Sequence, residues 1–406
     1  ADEVAGLVSL CHKNGCPIVS YGAGTSLEGQ ISATRGGMTI SYQENMKSVL
    51  DLSLEDLSVT VQPGITREEL NDILNPEGYF FPIDPGANAT IGGMVATRAS
   101  GTNAVRYGTI RENVLALEVV LPNGEKIITQ RGPVAKSAAG YDLTKLFIGS
   151  EGTLGAITAI TLKIHPLPEQ VVAGVCSFPD VKSACDTVIQ IMQLGIPMAR
   201  IELLDDKAIK AVNKQDDLGL PEIPHLFLEF HGSPSSVEEQ REDVASLIEE
   251  NGGSTFQASD RPEERSKLWK ARHQAYFATL ALEPGKSALT TDVCVPLSSL
   301  SDVIAETKEE MDNSGLTYTL VGHVGDANFH LIILYDEENE DEKALVMKVN
   351  DHLVDRALKF NGTCTGEHAV GLFKKDSLVK ELGLENVKVM KSIKQAIDPN
   401  NLFNPD

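Results

Sequence analysis

The apolar positions of this chain change their period once. Residues 17 to about 165 carry short β-patterned runs separated by turn residues: Met38 to Tyr42, Val49 to Leu52, Ser58 to Gln62 and Leu115 to Leu121. Such runs predict strands. Ahead of them, Asp2 to Cys11 reads as an amphipathic helix leading into a strand at Pro17 to Tyr21. After His165-Pro-Leu-Pro168 the pattern turns to longer helical periods with single strands between them, at Val171 to Ser177, Met198 to Leu203, Leu226 to His231, Ser287 to Val295, Tyr318 to Gly322 and Phe329 to Tyr335. Helices are expected over 180–194, 235–250, 261–282, 297–313 and 338–359. A boundary at about 166–170 divides the two textures. The order of elements in the second half suits an α+β domain with helices on one face of a mainly antiparallel sheet. Two local signals are sharp and purely structural. Thr66 with Glu69 forms a capping box opening a helix that ends near Gly78, and Asn123-Gly124 marks a hairpin. The acidic run Asp336 to Glu342 reads as a solvated loop or a helix start.

Length and composition narrow the class. With 406 residues, 42% hydrophobic and 23% charged, the chain has material for two or three packed domains. A formal charge of -23 repels phosphate backbones and anionic lipid surfaces, so nucleic acid is not an expected partner. A small anionic substrate is still allowed, because salt screens the distant acidic surface over about 8 Å. No run approaches the ~18 consecutive apolar residues of a membrane span, so the chain is not expected to be transmembrane. Six cysteines without a Cys-x-x-Cys pair fit a reduced compartment better than a disulfide framework or a zinc finger. The chain opens on Ala1 inside a helical pattern; the expectation is that the domain begins upstream, where any targeting peptide would lie.

Candidate chemistry starts with glycines. Tyr21-Gly22-Ala23-Gly24-Thr25-Ser26-Leu27-Glu28-Gly29 follows a predicted strand, where backbone N–H groups can converge on a phosphate. It is not a dinucleotide-binding Rossmann fingerprint, since the glycine spacing is wrong and no crossover helix follows. It is not a Walker loop, because Gln30 stands where lysine is required. A second cluster runs from Pro85-Gly86 through Thr90 to Gly92-Gly93 and on to Ser100-Gly101 and Tyr107-Gly108. A third is Gly149-Ser-Glu-Gly152-Thr-Leu-Gly155. Each taken alone reads as a tight turn. Together, low in positive charge, they suit a large dinucleotide held by backbone donors.

These three clusters, with Lys136-Ser-Ala-Ala-Gly-Tyr-Asp142 before the third, resemble the flavin domain of the vanillyl-alcohol-oxidase type of FAD enzymes, and within it the D-lactate dehydrogenase and glycolate oxidase branch. The resemblance spans nearly the whole chain, including the closing Ile397-Asp-Pro-Asn-Asn-Leu-Phe-Asn-Pro405. It implies an α+β fold: a p-cresol-methylhydroxylase-type (PCMH-type) FAD-binding domain over 1–166, an antiparallel-sheet, ferredoxin-like substrate domain over 167–375, and a segment, 376–406, returning to the FAD domain. It further implies that Tyr21, Gly22, Ala23, Gly24, Thr25 and Ser26 wrap the FAD pyrophosphate. Pro85, Gly86, Thr90, Gly92, Gly93, Ser100 and Gly101 would line the flavin, Glu151, Gly155 and Ile157 would support the adenine side, and Thr97, Tyr107 and Asn404 would also bind the cofactor. Some relatives tether FAD through a histidine near the first loops; none lies between His12 and His165, so dissociable, non-covalent FAD is expected.

The most specific residues lie in the second half: His323-Val-Gly-Asp-Ala-Asn-Phe-His330, then Gly366-Glu367-His368. An odd interval puts two strand residues on opposite faces, so His323 and His330 converge only if Gly325-Asp326-Ala327-Asn328 turns the chain. Two histidines and a glutamate suit a divalent cation with positions open for substrate, zinc or manganese alike. Successive extended residues point different ways, so Glu367 and His368 can divide their roles. The alternative for a lone histidine is a surface or core group, the reading given to His12, His165, His225, His231, His273 and His352. The resemblance assigns His323, His330 and Glu367 as metal ligands, His368 as general base, and Arg272, in Leu268-Trp-Lys-Ala-Arg-His, as the holder of the substrate carboxylate. From sequence alone Arg272 reads as a solvated helix arginine, and Cys364 as a packing residue.

The implied reaction is oxidation of a D-2-hydroxy acid to the keto acid with hydride passing to flavin N5. Relatives acting on D-2-hydroxyglutarate carry an asparagine after the second metal histidine and a lysine before an Asp-x-x-x-Pro segment. Here Ile332 and Thr290 stand there, so a small monocarboxylate such as D-lactate is expected, glycolate being the alternative. The mitochondrial, cytochrome-linked kind implies cytochrome c or a quinone as electron acceptor, with a mitochondrial location in a eukaryote and otherwise a cytoplasmic one or one peripheral to the inner membrane. A flavin- or metal-binding subunit without turnover is the different-class reading. A flavin reductase of the cell-wall-precursor type leaves the histidines unexplained.

Overall fold

The structure is a computed structural model that describes residues 1–216 and 218–405; Asp406, the end of the expected closing segment, lies outside the described residues. The chain forms two compact units, Ala1–Leu167 with Glu367–Asp406, and Pro168–Gly366. The return to the first unit thus begins at Glu367 and not at 376.

In the first unit, five antiparallel strands lie in the order Val49–Ser53, Ser58–Val61, Ala156–Lys163, Val114–Val120 and Lys126–Ile128. The turn at Asn123-Gly124 joins the last adjacent pair, with Gly124 at φ 86, a left-handed conformation that glycine adopts without a side-chain clash. The capping box is present: Thr66 Oγ1 accepts from Glu69 N–H, and the Glu69 carboxylate accepts from Thr66 N–H. It starts the helix Arg67–Leu74, whose Leu70 and Leu74 are buried in the sheet's apolar cluster. Ile18–Tyr21 pairs in parallel with Met38–Ser41, and Phe403 of the closing segment bridges to Ile18 and is fully buried. The helix Lys375–Ile397 has no counterpart in the sequence reading. Gly383 interrupts it with non-helical angles and none of its residues is buried, so no clean apolar stripe marks it.

In the second unit an eight-stranded sheet is antiparallel throughout. Its main path runs Gln257–Ser259, Gln170–Ser177, His225–Gly232, Met198–Leu204, Tyr318–His323, Asn328–Tyr335, Ser287–Thr290, and Val293–Cys294 pairs separately with Asn328–Tyr335. The first four of these strands, with helices Val181–Gln193 and Pro234–Glu250, have the split β-α-β arrangement of a ferredoxin-like fold. The expected single strand 287–295 is broken at Thr291-Asp292, and the expected helix 261–282 is two, Pro262–His273 and Ala275–Leu280. The acidic run is a helix start: Asn339 caps Glu340–Lys359, whose first turn holds Glu340, Asp341 and Glu342, favourably placed against the helix dipole.

Helices cover both faces of this sheet, not one. Leu226, Leu228, Phe230, Leu320, Phe329 and Leu331 pack with helices Val181–Gln193, Pro234–Glu250, Leu300–Ser314 and Glu340–Lys359. Phe227, Val321 and Ile332, of opposite parity, pack with Asp206–Asp216, Pro262–His273 and Ala275–Leu280. Alternation along each strand therefore separates an apolar face from one that also carries polar groups.

Candidate active site

The polar face carries Glu202, Glu229, His231, His323 and His330. Residue Val321 stands opposite His330 in the hairpin, and His323 lies two positions beyond Val321, so both imidazoles emerge on the same side as a diagonal pair. The reversal comes from a 3-10 turn, Val324–Asp326, with Ala327 in a left-handed conformation, one residue earlier than expected from the sequence. The ring centroids are 5.5 Å apart and nearly perpendicular, at 83°.

Each ring is fixed through Nδ1. His323 Nδ1 lies 2.8 Å from Glu202 Oε1, and His330 Nδ1 lies 2.9 Å from the Thr291 carbonyl oxygen. Both acceptors require Nδ1 to carry the proton, which leaves Nε2 of each ring as the lone-pair nitrogen. The break at Thr291-Asp292 is what presents that carbonyl. Asp292, almost fully buried, accepts from Asn328 Nδ2 and from Thr365 Oγ1, both at 2.8 Å, and so ties the 363–366 loop to the hairpin. Gly366 must be a glycine there, because a Cβ would stand 2.1 Å from Asn328 Nδ2. The next residue is Glu367. One ligand atom from each of His323, His330 and Glu367 lies within 4.8 Å of the others. Two imidazole nitrogens and a carboxylate oxygen at that spacing suit a borderline divalent cation.

Arg272 is not a solvated helix arginine. It is 8% exposed, and Glu202 Oε2 accepts from its Nε at 2.8 Å and from an Nη at 2.6 Å. Glu202 thus bridges Arg272 and His323. Burial alone would raise the Glu202 carboxyl, but the two partners outweigh it and hold it below its ordinary value. A second group on this face joins Glu229 to Trp269 Nε1 at 2.5 Å and to His231 Nε2 at 2.8 Å, with Arg200 over the Trp269 ring at 4.6 Å. Sequence reasoning missed Glu202 and Asp292. The available signal was charge at alternate positions inside an otherwise apolar strand, Arg200 and Glu202 in Met198-Ala-Arg-Ile-Glu-Leu-Leu204.

In the first unit the His368 carbonyl accepts from Gln30 Nε2 at 2.8 Å, and its Nδ1 lies 3.7 Å from Glu28 Oε1. Glu151, at φ 51, uses its carboxylate to accept from the N–H groups of Val370 and Gly371, and burial raises its carboxyl above the ordinary value against those two bonds. Asn404 Nδ2 donates to the carbonyls of Gln30 and Glu151, both at 2.9 Å. Glu28, Gln30, Glu151 and Asn404 therefore anchor the segment that follows Glu367.

The glycine loops pack tightly on one another. A Cβ on Gly22 would stand 2.2 Å from Thr90 Oγ1, and one on Gly92 would stand 2.5 Å from Pro63 Cβ. Thr90 caps the short helix Ile91–Thr97, accepting from Gly93 N–H, and Thr97 Oγ1 donates to the Gly93 carbonyl. Gly101 lies against Asp84, whose buried carboxylate accepts from Thr102 Oγ1 and Asn103 N–H, while Ser100 precedes it and Pro85-Gly86 follow Asp84. The Gly22–Ser26 N–H groups meet no protein acceptor among the described residues, which suits a loop that donates to a bound anionic group. Tyr107 is edge-on to Phe80 and His165, Gly155 abuts Val119, and Ile157 is part of the sheet's apolar cluster.

Residues 167–406 match the family described as FAD linked oxidases, C-terminal domain, and residues 1–130 match the FAD binding domain. The chain belongs to the FAD-linked oxidase family. It is 50% identical to a probable mitochondrial D-lactate dehydrogenase of Danio rerio, over 100% of this chain and 82% of that one. It is 46% identical to a mitochondrial D-lactate dehydrogenase [cytochrome] of Arabidopsis thaliana, over 100% and 71%, and 33% identical to a glycolate oxidase subunit of Bacillus subtilis, over 100% and 86%. Among solved structures it resembles a 4-ethylphenol oxidase from Gulosibacter chungangensis, with TM-score 0.81, 16% identity and coverage of 99% and 86%. It also resembles p-cresol methylhydroxylase, with TM-score 0.76, 18% identity and the same coverage. The fold is therefore PCMH-type, with an antiparallel-sheet second domain, and the chain is an FAD-dependent oxidoreductase. Among the described residues no helix is long and apolar enough to cross a membrane.

Proposed function

We propose that this chain oxidises a D-2-hydroxy acid, D-lactate to pyruvate first of all, using FAD and a divalent cation, zinc or manganese. The observation that carries the reading is the gathering of His323, His330 and Glu367 around one point, with both imidazoles pinned through Nδ1, in an FAD-linked oxidase. FAD, when bound, supplies the two-electron acceptor at N5, and the cation, when bound, supplies Lewis-acid polarisation of the substrate oxygens.

The chain's own residues do the rest. Arg272 holds the substrate carboxylate, because a guanidinium fixed along one edge by Glu202 has N–H groups left to donate. His368 accepts the hydroxyl proton as the Cα hydride leaves. The loop Tyr21 to Ser26 cradles the FAD pyrophosphate, Pro85 to Gly93 with Ser100 and Gly101 line the flavin, Glu151 to Ile157 support the adenine side, and Thr97, Tyr107 and Asn404 also bind the cofactor. The cofactor is dissociable. A cytochrome or a quinone takes the electrons, and in a eukaryotic cell the location is mitochondrial, in keeping with the names of the Danio rerio and Arabidopsis thaliana relatives.

The Bacillus subtilis relative favours glycolate as the second reading. An anaerobic flavin-reduction screen over D-lactate, L-lactate, glycolate, D-2-hydroxybutyrate and D-2-hydroxyglutarate, with metal analysis of the same sample, tests both. Bleaching is expected fastest with D-lactate. Bleaching with none of the five would leave a flavin-binding subunit without turnover.

A further inference from the structure

We infer that Glu202 is a positioning residue that sets metal affinity and substrate-carboxylate binding together. The inference rests on the metal-centre reading above and extends it to a side chain outside the ligand set.

Glu202 sits in the middle of Met198–Leu204, a strand bonded on both sides, and is 1% exposed. Its two oxygens are divided. One accepts from His323 Nδ1 and the other from two nitrogens of Arg272, all between 2.6 and 2.8 Å. A buried ion pair is a poor source of stability, since desolvating both charges offsets their attraction, so fold stability alone gives little reason for this one. What the arrangement does provide is a common reference point. One carboxylate on a rigid strand orients an imidazole and a guanidinium that belong to different elements, the hairpin and the helix Pro262–His273.

The two imidazoles are also unequal. His330 Nδ1 is hydrogen-bonded to the neutral carbonyl of Thr291 and has the Asp292 carboxylate only at 3.8 Å, beyond hydrogen-bond reach, whereas His323 Nδ1 is hydrogen-bonded directly to a carboxylate, which strengthens the electron donation of its Nε2. His323 is therefore the stronger ligand, and Glu202 is the reason.

The test uses the full chain with FAD bound. In Glu202→Gln the shape is kept, but the charge is lost and an amide replaces one acceptor facing Arg272. In Glu202→Asp the charge is kept on a shorter arm that cannot reach both partners. Apparent affinity for Zn²⁺ or Mn²⁺, measured by chelator competition without substrate, is expected to fall ~10–100-fold in both variants, the range for losing an outer partner of a ligating histidine. KM for the hydroxy acid is expected to rise in the same variants; the thermal midpoint of Glu202→Asp falls, because the shorter arm leaves a buried partner uncompensated, while its flavin content stays close to the parent and both readouts are taken well below that midpoint. Parent-like metal affinity in both variants overturns the inference, and so does a metal defect with parent-like KM. If the parent itself binds no divalent cation and His323→Ala changes no metal content, it is the metal-centre reading that falls first.

Discussion

Gly22→Ala isolates a contact that decides why the first loop needs a glycine. An added Cβ would stand 2.2 Å from Thr90 Oγ1, whereas carbon and oxygen in contact sit about 3.3 Å apart, so something must move by about 1 Å. Thr90 has nowhere to go: it is 1% exposed and caps the helix Ile91–Thr97. Overpacking of this kind costs ~1–3 kcal/mol, and displacing the cap adds ~1 kcal/mol. Thr90→Ala alone should cost only ~1 kcal/mol, the lost cap. In the double variant the offending oxygen is absent, and the nearest remaining Thr90 atom, Cβ, lies at an ordinary 3.4 Å. Gly22→Ala/Thr90→Ala should therefore be about as stable as Thr90→Ala, less destabilised than the sum of the singles by ~2–4 kcal/mol, the overpacking it relieves together with the cap loss that both singles share. Guanidinium unfolding of the apoprotein measures the cycle, and additive singles would refute the contact. The flavin-to-protein ratio of the same variants adds a second readout. If the Gly22–Ser26 backbone also approaches the cofactor closely, the double variant regains stability without regaining FAD.

Three further outcomes are expected. Chelation should abolish turnover and leave flavin bound; activity that survives complete metal removal would make the cation structural or absent. His368→Ala should slow flavin reduction ~100-fold or more with flavin content unchanged, as for loss of a positioned base, and parent-like reduction in stopped flow would remove His368 from the chemistry. Burial holds the His165 ring neutral, with its pKa pushed down to about 4, while Nε2 meets Asn113 Oδ1 at 3.0 Å. Its stability contribution is thus present above the unfolded value of 6.5 and drains as pH falls toward 4, because the unfolded ring takes up a proton that the folded ring refuses. His165 is only partly buried, so the slope should stay below the full ~1.4 kcal/mol per pH unit. A thermal midpoint in His165→Asn that falls just as steeply between pH 6.5 and 4 would discount this account.

The two-faced second sheet explains why chemistry and packing coexist there. One face holds an apolar core that never meets the reactive groups; the other places Glu202, Glu229, His231, His323 and His330 among Phe227, Val321 and Ile332. The expectation of helices on one face failed because Asp206–Asp216, Pro262–His273 and Ala275–Leu280 pack on the opposite face, and the apolar period along a helix does not say which face of a sheet it will cover.

What could be read from the sequence alone is what depends on neighbours a few residues away. The capping box at Thr66 and Glu69, the Asn123-Gly124 turn, the strand and helix periods and the requirement for a turn between His323 and His330 are all local, because side-chain direction and cap hydrogen bonds are set within one or two turns of backbone. The FAD-enzyme resemblance was equally legible, because its motifs are short and ordered along the chain. What only the tertiary structure decided is pairing across long separations: Glu202 with His323 and Arg272, Asp292 with Thr365, Gln30 with His368, Glu151 with Gly371, and the start of the returning segment at Glu367. Periodicity says which side chains turn inward but not what stands opposite them. That is set by strand order and by the break at Thr291-Asp292, which follow from the free energy of the whole core and leave no local signature.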